Sequence, residues 1–534
     1  MEESKEDKKV QNLGQIVKNA FQQLGETLKA FFTAPRALWG INLPYLLEGI
    51  VYFGILTEME IFLSQNMYLT DPQATWVLSF LTGGITLAMV ILGGMADKFG
   101  IRKALSIAFS TLLVGRILVS LSGTLPLGTG IFSPMFFVMI GGLLFIIIGY
   151  GLYQPAAYAG IKRYTTPKTK SMGYAVVYAL MNLGAFLFGM MAKFVRDPFE
   201  KAFPPNGITA VFWVLTVINA LALIFTVILL TKSADRQAYK KAKEARDKDQ
   251  AEKEDNTDQD DSDSIESEQN IDNTWVIIYG LLAGVFLGLF ILFKSDKFIG
   301  NPENPLHNII YMALILLFGF LAIRDFLERR PEHPFRDMKF VFFIFILIPV
   351  QTLFAHNWLT IPPYLHRAFH GSLVAEYYEF FANINPLLIF ILAPIVAGLT
   401  RGAKIYNMVV YGTFVMAIPT FLLAFEPNIY LFLTYILLMT IGEAMWQPRF
   451  LEWIAEIAPE GKTGAYMGIG QLPWFMTKVI TGLYAGFFLS AYIPKDAPVS
   501  QLHPGQMWFF YALIAMVTPI ALLLAKKWMT KEEM

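Results

Sequence analysis

The chain has 534 residues, 55% of them hydrophobic and 15% aromatic, with only 16% charged and a formal net charge of zero. A chain this apolar finds its solvent in lipid, and it has no overall field of either sign that would favour nucleic acid or an acidic substrate. Cysteine is absent, which excludes disulfides, thiolate metal sites and a cysteine nucleophile. The histidines (His307, His333, His356, His366, His370, His503) lack metal-ligand spacing, so no metal and no other cofactor is expected.

Residues 1–36 begin with charge and hold no signal-type apolar core, so they are expected to form a cytoplasmic tail. Leu13, Ile16, Val17, Ala20, Phe21, Leu24 and Leu28 recur at helical spacing, which predicts an amphipathic helix lying in the membrane interface. Apolar runs of the ~20 residues needed to cross hydrocarbon then recur along the chain. The first six fall near 38–65, 75–97, 103–122, 132–160, 171–195 and 207–231, within a six-helix bundle placed at 37–231. A charged cytoplasmic linker at 232–273, first rich in Lys and Glu and then acidic, has almost nothing to bury and is expected to be disordered or partly helical. Two spans near 274–294 and 307–328 form an insertion at 274–328. Six more, near 338–360, 375–399, 405–424, 428–448, 464–490 and 506–526, make a second bundle at 337–528, for about 14 spans in an all-α transmembrane chain. Lys and Arg concentrate on the side shared by the N-terminus and the linker, which places both termini in the cytoplasm.

Four ionisable residues fall inside spans, where a charge is kept only if it faces a cavity or a partner. They are Glu48 in span one, Arg116 in span three, Glu443 in span ten and Lys478 in span eleven, counting only the two sets of six. Two readings stand: a site in which Glu48 or Glu443 takes up a proton beside Arg116 and Lys478, or two structural ion pairs, Glu48 with Arg116 and Glu443 with Lys478. Trp446 and Trp474 lie beside Glu443 and Lys478, where a ring lines a pocket or packs the core. Trp39, Trp275, Trp508 and Trp528 are expected in interfacial belts. Pro155, Pro386, Pro448 and Pro473 are expected inside spans, kinking them. Glu58 and Glu60 are expected to be solvated at the outer end of span one, or to attract cationic solutes. His356, near the outer end of span seven, is expected to be a hydrogen-bonded helix end or a pH sensor.

Between spans two and three stands GGMADKFGIRK (93–103), which resembles the loop signature of the major facilitator superfamily and implies its fold, two six-helix bundles with the site between them. Asp97, Arg102 and Lys103 would gate the inner side through ion pairs, with Gly93 and Gly94 allowing close helix approach. A narrower resemblance, to the proton-dependent oligopeptide transporter family, rests on GYGLYQPAAYAG (149–160), YALMNLGAF (178–186), NINPLLIFILAP (383–394), IGEAMWQP (441–448) and APEGKTGAYMG (458–468). Bacterial members also insert two helices between the bundles.

That resemblance implies proton-coupled symport of small peptides or peptide-like zwitterions, by a monomer in a bacterial inner membrane whose partners are substrate, protons and lipid. It assigns Glu443 to the peptide amino group and makes Asn182 and Asn385 polar pocket positions. The chain also departs from the family. Of the E-x-x-E-R-F-x-Y-Y pattern in span one only Glu48 and Tyr52 are present, and Gln154 replaces the lysine before proline in span four. Tyr52, Gln154, Asn182, Asn385, Glu443, Trp446, Trp474 and Lys478 are thus the candidate substrate contacts, and Glu48, Arg116, Glu443 and Lys478 the candidate coupling or ion-pair residues. Because the coupling motif is broken, two alternatives stay open: transport of another amine-bearing or organic solute with altered coupling, and a non-transporting sensor or scaffold. No nucleotide loop or catalytic grouping suggests an enzyme.

Overall fold

A computed structural model describes residues 35–92, 99–165, 170–254, 305–330, 333–400, 403–457, 472–495 and 497–530, together with Gln22, Trp275, Ile278, Tyr279, Leu282, Tyr466, Ile469 and Gly470. The tail helix, Gly93, Gly94, Asp97, most of the loop at 458–468, the acidic part of the linker and nearly all of the span at 274–294 lie outside the described residues.

Helices α1 (Arg36–Ile61), α2 (Asp71–Leu92), α3 (Ile101–Thr124), α4 (Pro134–Tyr164), α5 (Lys170–Arg196) and α6 (Ile208–Leu229) pack as one group. Ser133 starts α4 as an N-cap: its hydroxyl accepts the Phe136 N–H at 3.1 Å, and Pro134 fills the first helical position, where a missing N–H costs nothing. Small residues let the backbones approach. A Cβ on Gly115 of α3 would stand 2.6 Å from the Gly142 carbonyl oxygen of α4, and one on Gly142 as close to that of Gly115.

After α6 the chain turns into α7 (Lys232–Glu254), so the first half of the linker is helical. Asp235 holds it against the end of α4, accepting from Arg163 at 3.2 Å and from the Tyr164 hydroxyl at 2.8 Å. Helix α8 (Pro305–Glu328) presents Leu317, Phe320 and Ile323 outward, as a lipid-facing helix does.

The second group comprises α9 (Met338–Ile346), α10 (Ile348–Leu359), α11 (Ile361–Ala368), α12 (Tyr378–Ala382), α13 (Ile384–Leu399), α14 (Ile405–Ala417), α15 (Ile429–Ile457), α16 (Leu472–Tyr492) and α17 (Pro504–Met529). Asp337 caps α9 by accepting the N–H groups of Lys339 and Phe340, each at 3.0 Å. Among the described residues, nine helical segments are long and apolar enough to cross a membrane, which makes this a multi-pass membrane protein.

Span eight, expected as one helix, is broken. Pro386 has no N–H to give the Ala382 carbonyl, and the chain breaks at Asn383 between α12 and α13. Pro386 and Pro473 therefore stand in the first turns of α13 and α16 rather than inside them, whereas Pro155 and Pro448 do lie within α4 and α15. The two groups meet chiefly through α2 against α16 and α5 against α12 and α13. We call the end carrying Arg36 and Met529 proximal, and the opposite end distal.

Candidate functional site

Midway along the first group, Glu48 of α1 and Arg116 of α3 form a two-pronged ion pair. Arg116 Nη1 donates to Oε2 at 2.9 Å and Nη2 to Oε1, and the Tyr150 hydroxyl of α4 also donates to Oε1. Both charged groups are buried. Tyr52 packs edge-on against Tyr150, with ring centroids 5.2 Å apart. Nearer the proximal end, the Gln154 amide donates to the Tyr158 hydroxyl at 3.2 Å, and Tyr45 meets the same hydroxyl at 3.4 Å. Asn182 of α5 spends its amide on its own helix, donating to the Tyr178 carbonyl at 2.9 Å, while the Tyr178 ring stays about half exposed.

The facing wall belongs to the second group. Asn385 of α13 donates to Glu443 Oε2 at 2.9 Å and to Thr440 Oγ1 at 2.8 Å. Across the seam, Tyr178 lies within electrostatic reach of Glu443. Lys478 reaches the first group rather than Glu443: its Nζ donates to Thr86 Oγ1 of α2 at 3.0 Å. Of the two ion pairs weighed from sequence, the structure forms Glu48–Arg116 directly, and Lys478 bonds across the seam instead. Trp446 is fully buried behind Trp474, the rings nearly parallel with centroids 6.5 Å apart, and its Nε1 points at Met416 Sδ. Trp474 is the partly exposed ring of the two.

The distal end is shut by polar contacts between the groups. Arg367, just past span seven, clamps Asp71 of α2 with both Nη atoms, at 2.8 and 3.0 Å, and reaches Glu60 Oε1 at 3.3 Å. Arg196 of α5 pairs with Glu379 of α12, and Lys193 bonds Glu376 at 2.7 Å. Tyr378 donates to Glu58 Oε2 at 2.5 Å, and Asn383 donates to Thr57 at 3.2 Å. Lys495 donates to the Ser64 carbonyl at 3.0 Å. Glu58 and Glu60 are therefore not solvated: both are 0% exposed, because partners from the second group cover them. Beside this clamp opens a cavity of about 430 Å³ lined by Gln65, His366, Arg367, His370, Lys495 and Pro498.

His356 is a buried hydrogen-bonded residue, held by Thr360 at 2.8 Å and Tyr484 at 3.1 Å and stacked on Tyr511 at 3.9 Å. Trp508, expected at an interface, packs in that same aromatic cluster and is fully buried. In the proximal loop, Arg102 and Lys103 open α3 and Lys103 is exposed, while Asp97 lies outside the described residues. The sequence reading missed Tyr150, Asp71, Arg196, Arg367 and Glu379. Charges at span ends look like ordinary flanking residues, and a tyrosine within an apolar run looks like packing.

The Major Facilitator Superfamily model matches residues 41–471, and the chain belongs to that family. The peptide transporter YePEPT of Yersinia enterocolitica subsp. palearctica serotype O:3 (strain YE-P4) is 23% identical over 172 residues, a match covering 31% of this chain and about a third (32%) of that protein's length. Among solved structures, a bacterial homologue of the human drug peptide transporters PepT1 and PepT2 superposes with a TM-score of 0.60 at 17% identity, covering 93% of this chain and 99% of its own. The peptide transporter POT in complex with sulfate gives a TM-score of 0.64 at 16% identity, covering 94% and 96%. A POT family transporter in complex with 5-aminolevulinic acid gives 0.58 at 17%, covering 94% and 98%.

Proposed function

We propose that this protein is a secondary active transporter of small peptides or peptide-like zwitterions, working by alternating access and coupled to protons. The observation that supports this most is the Asn385–Glu443 pair, with Tyr178 near it across the seam of a fold shared with peptide transporters. A buried carboxylate braced by an amide suits a primary ammonium group. Lys478, one helix away, offers a cation for the carboxylate end in place of the lysine that Gln154 has replaced. The reading includes two six-helix bundles at 37–231 and 337–528, a monomeric unit, a bacterial inner membrane and cytoplasmic termini, so that the distal end faces out. Asp97, Arg102 and Lys103 then gate the proximal side.

A second reading, another amine-bearing solute with altered coupling, draws on Glu48. Both of its oxygens are already engaged by Arg116 and Tyr150, and Gln154 carries no charge. Uptake of a dipeptide and tripeptide set into proteoliposomes, with and without an inward proton gradient, separates the two. Gradient-driven uptake lost in Glu443→Gln supports the peptide symporter. Absence of peptide uptake, with displacement of a bound amine, supports the second reading.

A further inference from the structure

At the distal seam, Glu58 of α1 and Glu379 of α12 come from opposite groups and meet around Tyr378 and Arg196, whose ring and guanidinium lie against one another. Both are fully buried. Glu58 Oε2 accepts from Tyr378 and Glu379 Oε1 from Arg196, yet among the described residues Glu58 Oε1 and Glu379 Oε2 accept no hydrogen bond. Two buried carboxylates in one dry cluster, each with an oxygen left over, repel one another unless they share a proton.

The neighbouring charges do not remove that need. Arg196, whose guanidinium also lies 4.9 Å from the Tyr378 ring centroid, is the cation directly bonded to the pair. Asp197 adds negative charge but is about half exposed, and Lys193 is spent on Glu376 and Asp197. Arg367 and Lys495 face Glu60 and Asp71, a second set that is close to balanced. His366 packs edge-on against Tyr378 with ring centroids 5.6 Å apart, and burial together with Arg367, Arg196 and His370 pushes it down to about 4, so it is neutral at physiological pH. The set around Arg196 therefore holds two buried carboxyl groups against one guanidinium.

We infer that the shut distal end carries a proton shared between Glu58 and Glu379, so that closing this end takes up a proton and opening it releases one. The pair assembles only when α1 and α12 meet, which ties the proton to one conformation rather than to a residue. By linkage, the shut population then grows as pH falls on the side this end faces. The inference does not depend on which solute is carried, and it concerns a place well away from Glu48 and Glu443.

The chain has no cysteine of its own, so spin labels can be placed on single cysteines introduced at Thr129 and Glu426, exposed in the distal loops of the two groups. Distances would be read in the full-length protein in nanodiscs at about pH 5 and about pH 8. The expected result is a shift toward the short distance at the lower pH. Glu379→Gln and, independently, Glu58→Gln should hold the short distance at both values, since each supplies an amide where the shared proton stood. His370→Gln should keep the shift, since that exposed histidine lies outside the pair. No shift in the parent protein overturns the inference. So does a full shift in both glutamine variants, or a shift abolished by Glu60→Gln alone, which would assign the proton to the Arg367 set.

Discussion

Arg116 and Glu48 meet in a bidentate ion pair that joins α3 to α1 within one half of the molecule, with Tyr150 closing the third side. Removing one partner strands the other charge in a dry interior, at a cost of about 3–5 kcal/mol. Arg116→Met should therefore lower the melting temperature in detergent markedly, and Arg116→Met with Glu48→Gln should recover much of the loss. If the double variant is as unstable as the single one, packing rather than charge dominates at this position.

The pair formed by Asn385 and Glu443 leads to a different expectation, on binding. A hydrogen bond to a charged group is worth ~1.5–3 kcal/mol, so Glu443→Gln should weaken dipeptide binding by about 10- to 100-fold. Asn385→Ala should weaken it less, because the carboxylate keeps its charge. Calorimetric titration with a dipeptide and with its N-acetylated form checks this: the acetylated form should bind weakly to the parent protein and be insensitive to Glu443→Gln.

The clamp at Arg367 predicts a conformational outcome. Asp71→Asn removes one charge from the clamp while Arg367 keeps Glu60 and the Ile493 carbonyl, weakening the closure without stranding the arginine. In the variant, a cysteine placed in the distal seam should be modified faster by a membrane-impermeant maleimide. An unchanged rate would mean that the Arg196 contacts suffice to hold the end shut.

Gly486 of α16 lies directly against Asp71 and Pro72 at the start of α2. A side chain there has no room while the distal end is shut. Gly486→Val should therefore bias the protein toward the distally open form, read by the same labelling rate, while its melting temperature stays within a few degrees of the parent. A large fall in stability instead would show that the contact is needed for folding.

How much of this was legible in the sequence depended on depth along each span. Glu48, Arg116, Glu443 and Lys478 stood out because charge in the middle of an apolar run is costly and is seldom kept without a partner. Their pairing was half legible: Glu48 with Arg116, one of the two pairs weighed, forms, but an apolar run says nothing of helix rotation, and Lys478 turned to Thr86 rather than Glu443. Glu58 and Glu60 were misjudged because a carboxylate near the end of a run is ordinarily wet, and the residues that cover them lie about 300 positions later. The break at Asn383 was hidden because the apolar run continues through it, although Pro386 was the local sign.

That break separates two residues with different tasks. Glu379 is fastened to the first half through Arg196, while Asn385, just beyond the break, is fastened to Glu443 on α15. A split helix is a joint, so α12 can lift from α5 as the distal end opens while α13 keeps its bond to α15. The same short stretch of chain thus carries a latch of the distal door, Glu379, and a residue of the proposed site, Asn385, on either side of the break at Asn383.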